Sequence, residues 1–181
     1  MNFFDLLSAR RSVASSIRKN PSSAISSNQI VAAGLMTPSS KNLHSTEFLV
    51  VEDRSLISQM ARCKPRFGEM LTQATAAVVV LGRLESHAWV EDASLAMLAM
   101  MLEARELGIG SCWVQVRHMV SEKIGSDGNP LTSNKDLQEL LHFPDGLEVE
   151  AILSLGYPLH PIRPRKLADV RPFRVHWGKW E

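Results

Sequence analysis

Two kinds of hydrophobic pattern alternate along this chain. Apolar residues at helical spacing predict helices over 2–10 (Phe3, Leu6, Leu7), over 29–36 (Ile30, Val31, Leu35, Met36) and after Asp53 (Leu56, Ile57, Met60). Short apolar runs predict buried strands at 48–51, 76–82, 110–114 and 149–155, the second of them covered on both faces. The segment 93–107 differs from the other helical stretches. Apolar residues cover almost its whole circumference up to Glu103, which predicts a helix buried all round, with Asp92 as its cap and Gly108 as a left-handed stop. A chain of 181 residues has little room to bury such a helix, so part of its surface is expected to face a second subunit. A further helix is predicted over 133–142, with Ser133 and Asp136 as a capping pair. Residues 15–28, 82–90 and 120–134 read as loops or irregular chain, 64–70 stays unassigned, and Gly156-Tyr157-Pro158 is expected to break the last strand.

Composition narrows the class without naming a chemistry. The hydrophobic fraction of 45% and charged fraction of 22% suit one globular domain spanning 1–181. A net charge of +1, with no long Lys/Arg block, argues against a nucleic-acid partner. No apolar run approaches the roughly 18 residues of a membrane span, and no basic start with an apolar core marks a signal peptide. Two cysteines, Cys63 and Cys112, make neither a disulfide framework nor a metal site, which points to a reducing cytoplasm.

Several short stretches carry candidate chemistry. Arg10-Arg11-Ser12 offers two guanidiniums and a hydroxyl that suit a phosphate, or else forms a solvated basic turn. Thr37 to Asn42 reads T-P-S-S-K-N, too polar for a core yet pinned between a helix end and a strand, as small-ligand loops often are; an ordinary surface loop reads the same way. Gly108 to Trp113 (G-I-G-S-C-W) opens a strand from a tight glycine turn, where backbone N–H groups can approach a flat ligand closely. The tail, 159–181, sets Arg163, Arg165, Lys166, Arg171, Arg174 and Lys179 against Asp169 and Glu181 and closes on V-H-W-G-K-W. Its two tryptophans argue for a tail that wraps a surface, its own or a partner's. No metal-ligand cluster, G-x-S-x-G or Walker-type loop is present, and the six histidines are scattered.

Taken in order and spacing, R-R-S at 10–12, P-S-S-K-N at 38–42 before F-L-V-V-E-D, the apolar D-x-S-x-A helix ending L-G-I-G, L-G-Y-P at 155–158 and P-R-K at 164–166 resemble the nitroreductase family of FMN-dependent oxidoreductases. The resemblance covers nearly the whole chain. It implies an α+β fold with a mixed, mainly antiparallel sheet flanked by helices. It also implies an intertwined homodimer in which the long helix packs at the two-fold and the tail 159–181 crosses to the partner. Arg10 and Ser12 would then hold the FMN phosphate, Arg11 would reach phosphate or ribityl, and Arg165 or Lys166 would add charge from the tail. Pro38, Ser39, Ser40 and Asn42 of the partner subunit would line the isoalloxazine and ribityl, with backbone at Cys112, Trp113 and Val114 on the other side. No side chain is assigned acid–base work. The implied activity is ping-pong reduction of nitroaromatics, quinones or similar flat acceptors by NAD(P)H. The alternatives are a flavin-binding or regulatory protein without turnover, or a specialised member acting on flavin or a halogenated substrate. Two departures bear on flavin potential and acceptor range: Ala14 stands where the family often has a basic residue, and Asn42-Leu43-His44-Ser45-Thr46 replaces N-x-Q-P-W.

Overall fold

The computed structural model describes residues 2–13, 17–18, 26–66 and 68–180. Ala14 and most of the serine-rich stretch at 15–28 lie outside them. The fold is α+β, built on an antiparallel sheet in the order β1 (Ile17–Arg18), β7 (Leu147–Pro158), β3 (Ala76–Arg83), β2 (Thr46–Val51), with β4 (Gly110–Gln115) also paired to β7. Along β3, Ala77, Val79 and Leu81 point to one face and Ala76, Val78 and Val80 to the other, the period of two that a strand imposes. Every one of these six is buried, so the expectation of a strand covered on both faces holds. One face packs on α3 (Arg54–Met60), α5 (Ser133–Leu141) and Leu71, through Ile57, Met60, Leu137, Phe143 and Ile152. The other packs on α2 (Ser27–Leu35) and α4 (Trp89–Glu106), through Ile30, Met97, Met100 and Leu153.

The helical spacing locates α1 (Phe3–Ala9), α2, α3 and α5 to within a few residues. Gly108 takes the left-handed φ of +73° expected after α4. Five expectations are corrected. The helix α4 starts at Trp89, with that ring packed against Gly82, so the loop expected over 82–90 is confined to 84–88 between the end of β3 and the start of α4. Asp92 is therefore inside the helix and buried rather than capping it. The cap of α5 is Thr132, whose hydroxyl accepts from the Lys135 N–H at 3.1 Å, while Asp136 accepts from Ser121. Residues 120–134 contain a hairpin, β5 (Val120–Ile124) with β6 (Pro130–Thr132). Finally, β7 runs on through Gly156-Tyr157-Pro158, because Gly156 pairs with Gly110 and the last two residues pair with β1.

The apolar circumference of α4 is not fully covered by its own chain. Leu95 is 46% and Leu98 41% exposed, on one stripe with half-covered Leu102. Met97, Met100 and Met101 are buried core. Strand β2 lies at the sheet edge rather than in the middle, leaving Val50 exposed.

Candidate functional site

The chain leaving α1 runs straight onto the start of β4. Ser12 bridges Ser111 in parallel, and the Val13 N–H donates to the Ser111 carbonyl at 3.0 Å. Glycine at 110 suits this approach, since a Cβ there would sit a tight 3.1 Å from that of Val13 and 3.2 Å from the Gly156 carbonyl oxygen. The tail closes the arrangement from a third direction, its Arg165 N–H donating to the Ser8 carbonyl at 2.9 Å.

Arg10, Arg11, Ser12, Cys112 and Arg165, five of the residues read from sequence as one site, are thus gathered by three separate pieces of chain. The electrostatics register the crowding. The pKa of Arg10 is lowered first by burial, then by the Arg165 and Arg11 guanidiniums. The Cys112 thiol is pushed up by burial, with Arg10 pulling partly the other way. Among the described residues no carboxylate pairs with Arg10, Arg11 or Arg165. Three neighbouring guanidiniums, one of them half-buried and none paired with a carboxylate among the described residues, form a donor set that fits a doubly charged phosphate oxygen group. Lys166 sits beside this cluster in sequence, exposed, with its N–H donated to Asp169 at 2.8 Å.

Trp113 and Val114 diverge from their neighbours. Val114 turns its side chain into the α3–α5 core and leaves only backbone for a ligand. Trp113 faces α4, and its indole N–H donates to Gln115 Oε1 at 2.7 Å. Glu150 lies opposite, at a bulge in the β3–β7 register, and pairs with Arg117 at 2.7 Å. Neither Gln115 nor Glu150 stood out in sequence; an acidic residue inside an apolar strand run was the available signal for the second.

The other predicted residues sit elsewhere. Pro38, Ser39, Ser40 and Asn42 form a turn beside the start of α4, where Pro38 and Ser39 line a small cavity with Gly34, His44, Thr46, Phe48 and Asp92. Lys41, Asn42 and His44 all have positive φ, at 51°, 56° and 48°. The buried Asp92 carboxylate accepts from the Ser40 N–H at 2.9 Å and from the Ser45 hydroxyl at 2.8 Å. Within one chain this loop and the arginine cluster lie at opposite ends of α4, a helix about 27 Å long at 1.5 Å per residue. One chain alone does not unite the two halves read from sequence.

No helix of the described residues is long and apolar enough to cross a membrane. The model of the nitroreductase family matches residues 65–157. A protein of Archaeoglobus fulgidus, provisionally named NADH dehydrogenase/NAD(P)H nitroreductase, is 36% identical over 159 residues, 84% of each chain. The structure of an FMN-dependent nitroreductase from Clostridium difficile R20291 superposes with a TM-score of 0.87 at 30% identity, covering 98% of this chain and 100% of that one. An iodotyrosine deiodinase bound to FMN and 3-iodo-L-tyrosine shares the fold at a TM-score of 0.72 and 20% identity, over 98% and 99% of the two chains.

Proposed function

The chain belongs to the nitroreductase family, and from that premise we propose that it is an FMN-dependent NAD(P)H oxidoreductase of the cytoplasm acting on nitroaromatics, quinones or similar flat acceptors. The observation that carries the reading is the un-neutralised cluster of Arg10, Arg11 and Arg165 over the backbone of Ser12 and Cys112. Arg10, Ser12 and Arg165 hold the phosphate, Arg11 reaches phosphate or ribityl, and Lys166 adds to the field. The single phosphate set, with no dinucleotide glycine fingerprint, selects FMN over FAD.

The second half of the site comes from a second copy. A two-fold axis through the middle of α4 sets two such helices antiparallel. It covers Leu95 and Leu98 and carries the partner's 38–42 loop to the arginine end of this chain. Pro38, Ser39, Ser40 and Asn42 of the partner subunit then line the ring opposite the backbone of Cys112, Trp113 and Val114. Of the tail read from sequence as crossing, 159–181, Arg165 is bound to Ser8 of its own chain, and the part beyond it crosses in the same way, leaving Trp177 and Trp180 89% and 82% exposed in one chain.

When bound, FMN supplies the hydride chemistry. The residues bind its phosphate, orient its ring and keep water from it; none is placed for proton transfer. NAD(P)H and the acceptor use one face in turn. The second reading, a specialised member acting on a halogenated substrate, shares the cofactor and differs only in the acceptor, and the fold-level likeness to iodotyrosine deiodinase keeps it in the screen.

Purified protein is expected to be yellow, to release FMN on denaturation, and to oxidise NADH or NADPH faster when a quinone is added. FAD, or a colourless protein that binds no FMN, overturns the reading. Bound FMN without quinone-dependent turnover establishes a flavin carrier instead.

A further inference from the structure

The 39–45 loop concentrates three left-handed non-glycine residues within four positions. Lys41, Asn42 and His44 are all left-handed, a conformation uncommon outside glycine and, of these three, least suited to lysine. Such backbone persists where surrounding contacts over-determine it. Inside the loop those contacts are short-range: the Asn42 and Leu43 N–H groups donate to the Ser39 and Ser40 carbonyls, and the His44 N–H donates to Ser39 Oγ at 2.9 Å. None of these ties the loop to the body of the protein.

Asp92 does. It is 4% exposed, in the first turn of α4, where the aligned N–H groups favour a negative charge. Oδ1 takes the backbone N–H of Ser40 and Oδ2 the hydroxyl of Ser45, so one carboxylate grips the loop on both sides of its left-handed residues. Ser45 is itself buried. A buried carboxylate whose two oxygens are both spent on one loop stabilises that loop's shape.

We infer that Asp92 is a positioning residue that clamps the 39–45 loop, left-handed residues included, in the shape presented to the flavin ring. The inference rests on the placement of that loop at the cofactor site under the proposed function. The role assigned to Asp92 is exerted through Ser40 and Ser45.

The test compares wild type with Asp92→Ala, Asp92→Asn and Ser45→Ala. Amide exchange at Ser40 and His44, followed by NMR, reads the clamp without reference to flavin. Exchange at Ser40 should quicken at least about tenfold in Asp92→Ala, the scale of a charge-assisted hydrogen bond, while β3 amides stay protected. Asp92→Asn should restore it, since one amide oxygen still accepts from Ser40 and the NH2 donates to Ser45. If Asp92→Ala does not fold, Ser45→Ala, which frees only Oδ2, should still quicken His44 exchange severalfold. Unchanged exchange in the folded variants overturns the clamp. The second readout is the visible circular dichroism of bound FMN and the split of KM from kcat for a quinone. Asp92→Ala should flatten the dichroism and raise KM, with Asp92→Asn close to wild type. Faster exchange with unchanged dichroism overturns the loop's place at the ring and leaves the clamp standing.

Discussion

Replacing Arg10 by Met keeps the apolar stem and removes the guanidinium. That separates the residue's role toward a ligand from its packing. Arg10 is half-buried, so its contact with a phosphate is screened less than a surface pair would be. A charge-assisted bond of this kind contributes roughly 1.5–3 kcal/mol, which weakens FMN binding about 10- to 150-fold when lost. The effect on the empty protein has the opposite sign. Burial and two neighbouring guanidiniums already disfavour the charge on Arg10, as its lowered pKa records. Removing that charge relieves repulsion, so the melting temperature of flavin-free protein should hold or rise. Fluorescence titration with FMN gives the affinity, and paired melts with and without FMN give the stability. An affinity within about twofold of wild type refutes the phosphate placement. A large fall in the flavin-free melting temperature would mean that Arg10 is a structural residue.

Three further outcomes follow from the same geometry. Leu98→Glu puts a charge on the exposed stripe of α4, and light scattering should shift from twice the 20.1 kDa chain mass towards a single chain or aggregate; an unchanged dimer rejects the helix as the interface. Removing residues 163–181 takes Arg165 and the tail together and should cost at least about tenfold in FMN affinity; a truncated protein that keeps full FMN occupancy rejects the tail's part in the site. Cys63, 1% exposed, has its thiol pushed up from 9.0 to about 12, by burial first and the Asp136 charge second. The unfolded thiol ionises first as pH rises, so this group leaves stability untouched below pH 9.0 and erodes it from there towards 12. Urea midpoints of wild type and Cys63→Ala over that range should converge as pH rises; parallel curves refute the assignment.

Much of the fold was legible because its elements obey simple periods. The run at 76–82 had no polar position to face water, and β3 is buried on both sides. What failed was local. Asp92 reads as a cap because acids precede helices, and nothing in the sequence says that Ser40 and Ser45, about fifty residues earlier, need its oxygens. Gly156 and Pro158 read as breakers, yet the final residues of a long strand tolerate them once β1 and β4 supply partners. In the site, Arg10, Arg11, Ser12, Cys112 and Arg165 were legible as chemistry and the structure brings them together. Pro38 to Asn42 lie apart from this cluster within one chain, as expected of residues assigned by resemblance to the partner subunit's half of the site. Ala14 lies outside the described residues, while the His44 departure falls on the left-handed loop that Asp92 holds.

Strand β7 has a consequence for how the molecule is born. It is the common neighbour of β1, β3 and β4, and it spans 147–158. A nascent chain stopped before residue 147 holds one complete pairing of this sheet, β2 with β3; β1 and β4 have no other strand to join among the described residues. The sheet therefore closes through contacts of large sequence separation, the slow kind, and only once residues 147–158 have been synthesised. Until then one edge of β3 is bare and the arginine segment at 10–12 has no docked strand beneath it. Arg165 follows β7 by seven residues. Fragments ending before residue 147 should thus be chaperone clients rather than flavin binders.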